Sequence, residues 1–223
     1  MNPKVPEWWL KPRKLFFVVD NDSWILPYIE ELVNQVNNLG DTAVLCRTHN
    51  EIGSGLAAFY LGCTQITPEN ILRKNPYNLI VHESDLPNGR GFAPLTWQIL
   101  EGKNMIPICL LEAAKNVDSG DVFYRDKILF QGHELEKELR SAQGIKTQEL
   151  CKRFLSSPEP PVGEKQHGKK DTYPRRKPTD SELNISLSIA DQFNLLRVVD
   201  NERYPAFFNY KGYRYQLRIE KIE

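Results

Sequence analysis

The sequence has no apolar run approaching the ~20 residues needed to cross a bilayer. Its N-terminal MNPKVPEWWLKPRK has no long apolar stretch of the kind that marks a signal peptide. Both absences lead to the expectation of a cytoplasmic protein with no membrane partner. An excess of charge is missing as well: 29 Lys and Arg balance 29 Asp and Glu. A general polyanion binder needs a basic face, so no nucleic-acid partner is expected. Cysteine is scarce, with Cys46, Cys63, Cys109 and Cys151 widely spaced and no CxxC. That pattern reads as reduced, mostly buried thiols, with no disulfide and no metal site. The loop after the first strand lacks GxGxxG, which disfavours a dinucleotide site, and no internal repeat is present.

Hydrophobic residues make up 40% of the chain and aromatics 10%, enough for a real core. Residues 14–20 (KLFFVVD) form a near-continuous apolar run that predicts a buried strand. Asn21, Asp22 and Ser23 are candidate helix caps. Ile25, Tyr28, Leu32, Val33 and Val36 then recur at near-helical spacing up to Gly40, and residues 42–46 predict a second strand. This βαβ opening implies a parallel sheet with a right-handed crossover. Gly53-Ser54-Gly55 is open to two readings, a phosphate cradle or a plain turn, and residues 57–61 read as a buried segment. Thr67 and Pro68 read as the N-cap and first residue of a short helix. Residues 122–130 read as a hairpin turning at Arg125-Asp126-Lys127, and 133–140 and 147–155 as two helical stretches. Residues 156–177 are rich in Pro, Gly and charge. They read as a loop or linker, either solvated or clamped over an anion. Beyond it, Thr179, Asp180 and Ser181 predict the cap of a helix carrying Ile185, Leu187, Ile189 and Phe193 through Leu196, and a β-hairpin follows. Trp8 and Trp9 predict an N-terminal arm packed on the domain.

The centre of the chain is residues 78–121. An apolar run ends on His82, and a tight segment holds Pro87, Gly89, Arg90 and Gly91. A helix-like stretch from Pro94, a second apolar run (106–111) and the turn Asp118-Ser119-Gly120-Asp121 come next. Neighbouring strands that deliver a histidine and an aspartate to adjoining loops can bring the two together, the usual arrangement for orienting a general base. His82, Ser84, Leu86-Pro87, Arg90-Gly91, Ala93-Pro94, Trp97, Gly102 and the Asp118–Asp121 turn follow the pattern HxSxLPxxRGxxPxxW…DxGD. In this the sequence resembles the 10-formyltetrahydrofolate-dependent formyltransferases: the methionyl-tRNA enzymes, the nucleotide-sugar N-formyltransferases and, more distantly, glycinamide ribonucleotide transformylase.

The resemblance implies an α/β fold, a Rossmann-like mostly parallel sheet flanked by helices, with a small C-terminal helix and β-hairpin subdomain. The expected division is a catalytic domain over 1–155, a loop or linker over 156–177, and the subdomain over 178–223. It implies transfer of a formyl group from 10-formyltetrahydrofolate to an amine, with His82 as the catalytic histidine and Asp118 as its paired aspartate. Folate is expected against Ser84, Asp85, Leu86 and Pro87 and the loop Ala114, Lys115, Asn116 and Val117. One position departs from the family. Two residues before the histidine, where an Asn amide usually stabilises the oxyanion, this chain has Ile80, which cannot donate a hydrogen bond. A folate- or nucleotide-sugar-binding protein without turnover is therefore the alternative to an enzyme.

The tRNA enzymes carry a larger basic C-terminal barrel, whereas this sequence offers only residues 178–223 after its linker. The wording of the central motif resembles the sugar enzymes of pseudaminic-acid-type pathways. The expected acceptor is a nucleotide-linked amino sugar, a 4-amino-4,6-dideoxyhexose. Glycinamide ribonucleotide, methionyl-tRNA or a peptide-linked amine are the alternatives. Arg90, Arg175, Arg176, Lys177, Arg197 and Arg203 are candidates for substrate binding, most of them at the diphosphate, and Tyr204 for stacking on base or sugar. The aromatic final hairpin suggests a homodimer contact.

Overall fold

The computed structural model describes residues 5–222. Its centre is a six-stranded sheet in the order β2-β1-β3-β4-β6-β7. The strands are β1 (Lys14–Val18), β2 (Thr42–Cys46), β3 (Ala57–Tyr60), β4 (Tyr77–His82), β6 (Met105–Glu112) and β7 (Val122–Leu129). The first four are mutually parallel, whereas β6 runs antiparallel to both β4 and β7. The helices are α1 (Leu26–Asn38), α2 (Glu69–Leu72), α3 (Pro94–Leu100), α4 (Glu136–Leu155) and α5 (Phe193–Val198). Two two-stranded sheets complete the fold. In one, β5 (Arg90–Gly91) pairs with β8 (Thr172–Tyr173), and in the other β9 (Ala206–Tyr210) pairs with β10 (Tyr213–Leu217).

Both faces of the sheet are covered, so β1 is apolar without alternation. Leu15, Phe17 and Val19 enter one core cluster, while Phe16 and Val18 enter another on the opposite face. Phe17 stacks on Phe59 at 4.8 Å, and Phe154 of α4 meets Phe59 edge-on at 6.0 Å. Trp9 is buried against Phe154 and donates its indole N–H to the Ser157 carbonyl (3.0 Å), which fixes the N-terminal arm as expected.

Several local expectations are corrected. The residues read as two helical stretches form a single helix, α4. Gly144 lies where that helix meets Tyr28 of α1, and a Cβ there would stand 2.7 Å from the ring, so glycine permits the approach rather than ending the helix. Residues 122–129 form a continuous edge strand, not a hairpin. Arg125, Asp126 and Lys127 are three successive exposed residues of that edge strand, on alternating sides, with Arg125 paired to Asp85 and Asp126 to Lys146. Pro68, not Thr67, is the N-cap of α2. The helix expected from residue 181 begins only at Phe193, and Ile185, Leu187 and Ile189 are exposed on an irregular segment. Gly53 and Gly55 pack on Phe16 and the Lys14 carbonyl beside the start of β1, so close packing accounts for both glycines.

Residues 156–177 run across the molecule in contact with it. Glu164 exchanges backbone hydrogen bonds with Val122 (2.8 and 2.9 Å), β8 pairs with β5, and Trp97 donates to the Pro174 carbonyl (2.9 Å). Beyond them, Leu183, Leu196, Val199 and Ala206 form a small core of their own beneath the β9–β10 hairpin.

Candidate active site

The loops that follow β1, β3 and β4 border a cavity of about 530 Å³, a volume suited to a small ligand. In an open α/β sheet these loops stand at the strand ends where ligands bind. Side chains alternate along a strand, so Ile80 and His82 share a side of β4, and both line the cavity.

His82 is buried, and its Nε2 lies 2.8 Å from the Gly89 carbonyl and 3.6 Å from Oδ2 of Asp118. Both neighbours are acceptors, so the hydrogen-bond network assigns the ring hydrogen to Nε2 and leaves Nδ1 as the proton-accepting nitrogen. Asp118 is buried too, in the left-handed region at φ 49°, and its Oδ2 accepts the Gly91 N–H (2.9 Å). Gly91 has φ 98°, and a Cβ there would stand 2.4 Å from the Tyr173 carbonyl, so only glycine lets β5 and β8 close around the aspartate. Gln166, from the segment 156–177, donates to the carbonyls of Asp118 and Gly120 (2.8 Å each) and accepts from Arg90. The segment read as a linker therefore buttresses the aspartate turn.

Glu83 follows His82 into the cavity wall and is buried. Burial pushes its carboxyl above the usual range, opposed by the nearby His82 and by a 2.7 Å hydrogen bond from Gln143 of α4. The sequence reading passed over Glu83. The available signal was a carboxylate directly after the histidine at the end of an apolar strand. Trp24, Tyr60 and Gln143 also line the cavity; the first two fall in apolar segments read as core, and Gln143 falls between the two helical stretches read from the sequence.

Of the residues expected at folate, Ala114, Lys115 and Val117 line the cavity. Asn116 is held by its carbonyl, which accepts from Ser119 (2.8 Å). Ser84, Leu86 and Pro87 are buried beside this wall. Asp85 pairs outward with Arg125 (3.0 Å), and the Ser84 hydroxyl has no hydrogen-bond partner among the described residues. Ile80, Val81, Leu95 and Ala113 give the cavity apolar walls between polar groups, a lining whose chemistry suits a ring system such as a pterin.

The residues expected to bind substrate do not line the cavity. Arg197 is 1% exposed and spends its guanidinium on Glu134 (3.2 Å), Asn104 (2.9 Å) and Asn194 (3.1 Å). Arg176 is likewise turned inward, onto the carbonyls of Val198 and Asp180 and the Ser181 hydroxyl. Arg90 is tied to Gln166, Lys177 is exposed beside Asp180, and Tyr204 is exposed with its carbonyl accepting from Ser181. Two of the predicted cations stand at the rim. Arg175 lies over the ring of Phe92, itself a wall residue, and Arg203 donates to the Asp22 carbonyl (3.0 Å) beside Asn21 and Ser23 of the wall. Arg47, not anticipated, donates to the Asn21 carbonyl (3.0 Å) on the same loop. No helix among the described residues is long and apolar enough to cross a membrane.

No family model matches the chain. Among curated proteins, the methionyl-tRNA formyltransferase of Acetivibrio thermocellus is 28% identical over 162 residues, covering 71% of this chain and 52% of that protein. The chain thus spans about half the length of this relative. Among solved structures, methionyl-tRNA formyltransferase from Clostridium thermocellum superposes with a TM-score of 0.79 at 22% identity, covering 94% of this chain and 93% of that one. HypX from Aquifex aeolicus in complex with tetrahydrofolic acid gives 0.73 at 14% identity, over 93% of this chain and 38% of that one. A 4-N formyltransferase from Francisella tularensis gives 0.65 at 14% identity, over 94% and 99% of the two chains. These likenesses show the fold of formyltransferases: a mostly parallel sheet flanked by helices, with a C-terminal hairpin.

Proposed function

From the premise that this chain is a relative of the formyltransferases, in sequence and in fold, we propose that it moves a formyl group from 10-formyltetrahydrofolate to a primary amine, that of a nucleotide-linked amino sugar. The observation that carries this reading is the buried His82–Asp118 pair, 3.6 Å apart on the wall of a cavity at the ligand-binding end of the sheet. Bound 10-formyltetrahydrofolate supplies an electrophilic formyl carbon. The chain supplies the proton handling. Nδ1 of His82 accepts the proton that the attacking amine must lose. The Gly89 carbonyl and the Asp118 carboxylate, both at Nε2–H, stabilise the resulting imidazolium and hold the ring in place. The protonated His82 would then return that proton to the leaving nitrogen of the donor. Ala114, Lys115 and Val117 would hold the pterin, together with the apolar wall.

An amino-sugar acceptor is supported by the structural neighbour named as a 4-N formyltransferase and by the zero net charge of the chain, where a tRNA binder is expected to carry an excess of positive charge. Since none of the arginines and lysines predicted for the substrate lines the cavity, the diphosphate is assigned to its mouth. There Arg47 and Arg203 both reach the loop of Asn21 and Asp22. A second reading, binding without turnover, is favoured by one observation: Ile80 presents an alkyl wall where the family places an amide donor.

The test is calorimetry with 5-formyltetrahydrofolate, alone and with UDP- and dTDP-linked amino sugars, followed by chromatographic detection of the formylated amine with the reactive donor. Folate binding tightened by one sugar nucleotide, with product formed, is expected. Ternary binding without product selects the second reading. Product formed only with methionyl-tRNA or glycinamide ribonucleotide overturns the sugar assignment, and no folate binding overturns the whole reading.

A further inference from the structure

A second cluster of chemically capable side chains stands at the ends of β2, β1 and β3, which are neighbours in the sheet. Asp20 follows β1, His49 opens the 3-10 turn after β2, and Cys63 follows β3. Their candidate ligand atoms, one oxygen, one nitrogen and one sulfur, all lie within 4.8 Å of one another. Nε2 of His49 stands 4.0 Å from Oδ2 of Asp20. That is too far for a hydrogen bond and close to the roughly 3.3–3.8 Å that separates two ligands of a tetrahedral ion with bonds of about 2.0–2.3 Å.

This nitrogen needs a partner. The His49 side chain is nine-tenths buried, and its Nε2 has no hydrogen-bond partner among the described residues. Leaving a buried imidazole nitrogen unpaired is costly. The other two groups are already oriented. The Asp20 carboxylate, 2% exposed, accepts from Asn21 Nδ2 (2.7 Å) and from the backbone N–H groups of Thr64 and Gln65 (2.9 Å each). These are the outer hydrogen bonds that fix a liganding carboxylate. Cys63 is held by its thiol, which donates to the Val18 carbonyl (3.3 Å). A divalent ion would take the place of that proton on binding.

We propose that Asp20, His49 and Cys63 bind a divalent cation of the zinc class. An O, N and S donor set suits zinc and excludes magnesium and calcium, which take oxygen ligands. Charge closes as well: one carboxylate and one thiolate neutralise a divalent ion, so the loaded site is neutral where it is buried. Three protein ligands leave a fourth position for water or another donor. Because Cys63 also lines the main cavity, the ion borders the proposed acceptor space without being required for the His82 chemistry. The three residues fall in no spacing motif, so nothing in their order along the chain points to a metal.

The test uses the full chain, stripped with EDTA and titrated with Co(II) and then with Zn(II). One equivalent of cobalt is expected to bind. It should give visible bands of a four-coordinate ion and a near-ultraviolet sulfur-to-cobalt charge-transfer band, both erased by zinc. Cys63→Ser should lose the charge-transfer band, and His49→Gln should weaken binding by at least about 10–100-fold. Melting of each variant in EDTA, matched to the stripped parent, separates loss of ligand from loss of fold. No stoichiometric binding by the parent, or a Cys63→Ser spectrum identical to the parent's, overturns the proposal. Either result is independent of formyl transfer.

Discussion

Asp118 touches His82 through the same oxygen that holds its own loop. Oδ2 stands 3.6 Å from Nε2 and accepts the Gly91 N–H at 2.9 Å. The aspartate is thus aimed by the backbone rather than by the histidine. Asp118→Asn should leave the fold in place and lower kcat by about 100-fold or more, because an amide stabilises the charged ring poorly and competes for its tautomer. His82→Ala should cost more, about 1,000-fold. Single-turnover formyl transfer checks both, with 5-formyltetrahydrofolate binding as the control for an intact site. Parent-like turnover in either variant would remove the pair from the mechanism.

Ile80 contributes to two things, the cavity wall and the apolar cluster of Leu86, Cys109, Leu111 and Val122 behind it. Ile80→Asn places an amide on the side of β4 that carries His82, where developing negative charge on the formyl oxygen can be met. We expect kcat to rise by about tenfold or more, since a placed oxyanion donor is worth about 100–1,000-fold elsewhere. Stability should fall by about 1–3 kcal/mol as a polar group enters that cluster. Steady-state kinetics and urea melts of the same preparation measure the two together. A loss of stability with no change in kcat would mean that another group already serves the oxyanion.

Arg197 and Arg203 look alike in the sequence and differ in the structure. Arg197 is enclosed against Glu134, so Arg197→Met should destabilise the chain by about 2–3 kcal/mol, because the carboxylate loses its cation and keeps only the Gln131 and Gly132 N–H groups. Arg203 is exposed at the cavity mouth, so Arg203→Ala should change stability by less than about 0.5 kcal/mol. It should instead weaken sugar-nucleotide binding, most clearly at low salt. Urea melts and calorimetry at two ionic strengths separate the two arginines.

The contrast between those arginines marks where the sequence stopped being informative. Elements set by a simple period were legible: the βαβ opening, β4 with its terminal His82, and the β9–β10 hairpin all follow apolar patterns that local rules read well. The His82–Asp118 pair was legible because a motif joined them across the chain. Failures came where a local pattern had a tertiary cause. Arg125-Asp126-Lys127 looked like a turn because an edge strand can expose three successive polar residues. Ile185, Leu187 and Ile189 recur every second residue, which is not a helical period, and they are exposed. Residues 156–177 looked like a linker because their partners, Val122, Asp118 and Trp97, are remote in sequence. A cation's role depends on which carboxylate it meets, and no spacing rule encodes that meeting for Arg197 and Glu134.

Glu83 supplies a pH test of the site. Its carboxyl is buried in the cavity wall, and burial raises its pKa above the ordinary value, with His82 and Gln143 opposing. The folded chain therefore keeps this proton at pH values where the unfolded chain has lost it. The corresponding stability is fully present below the ordinary carboxylate range and is lost as pH rises through the folded pKa. Glu83→Gln keeps the size and carries no ionisable group, so it should escape that loss. The stability of the variant relative to the parent should increase from about pH 5 to about pH 8, measured by urea melts at matched ionic strength. Taking the difference between variant and parent cancels the other titrating groups, including Glu112 and Glu136, whose carboxyls burial also raises. A difference that stays flat across that range, or falls, would show that Glu83 ionises in the folded chain as readily as in the unfolded one.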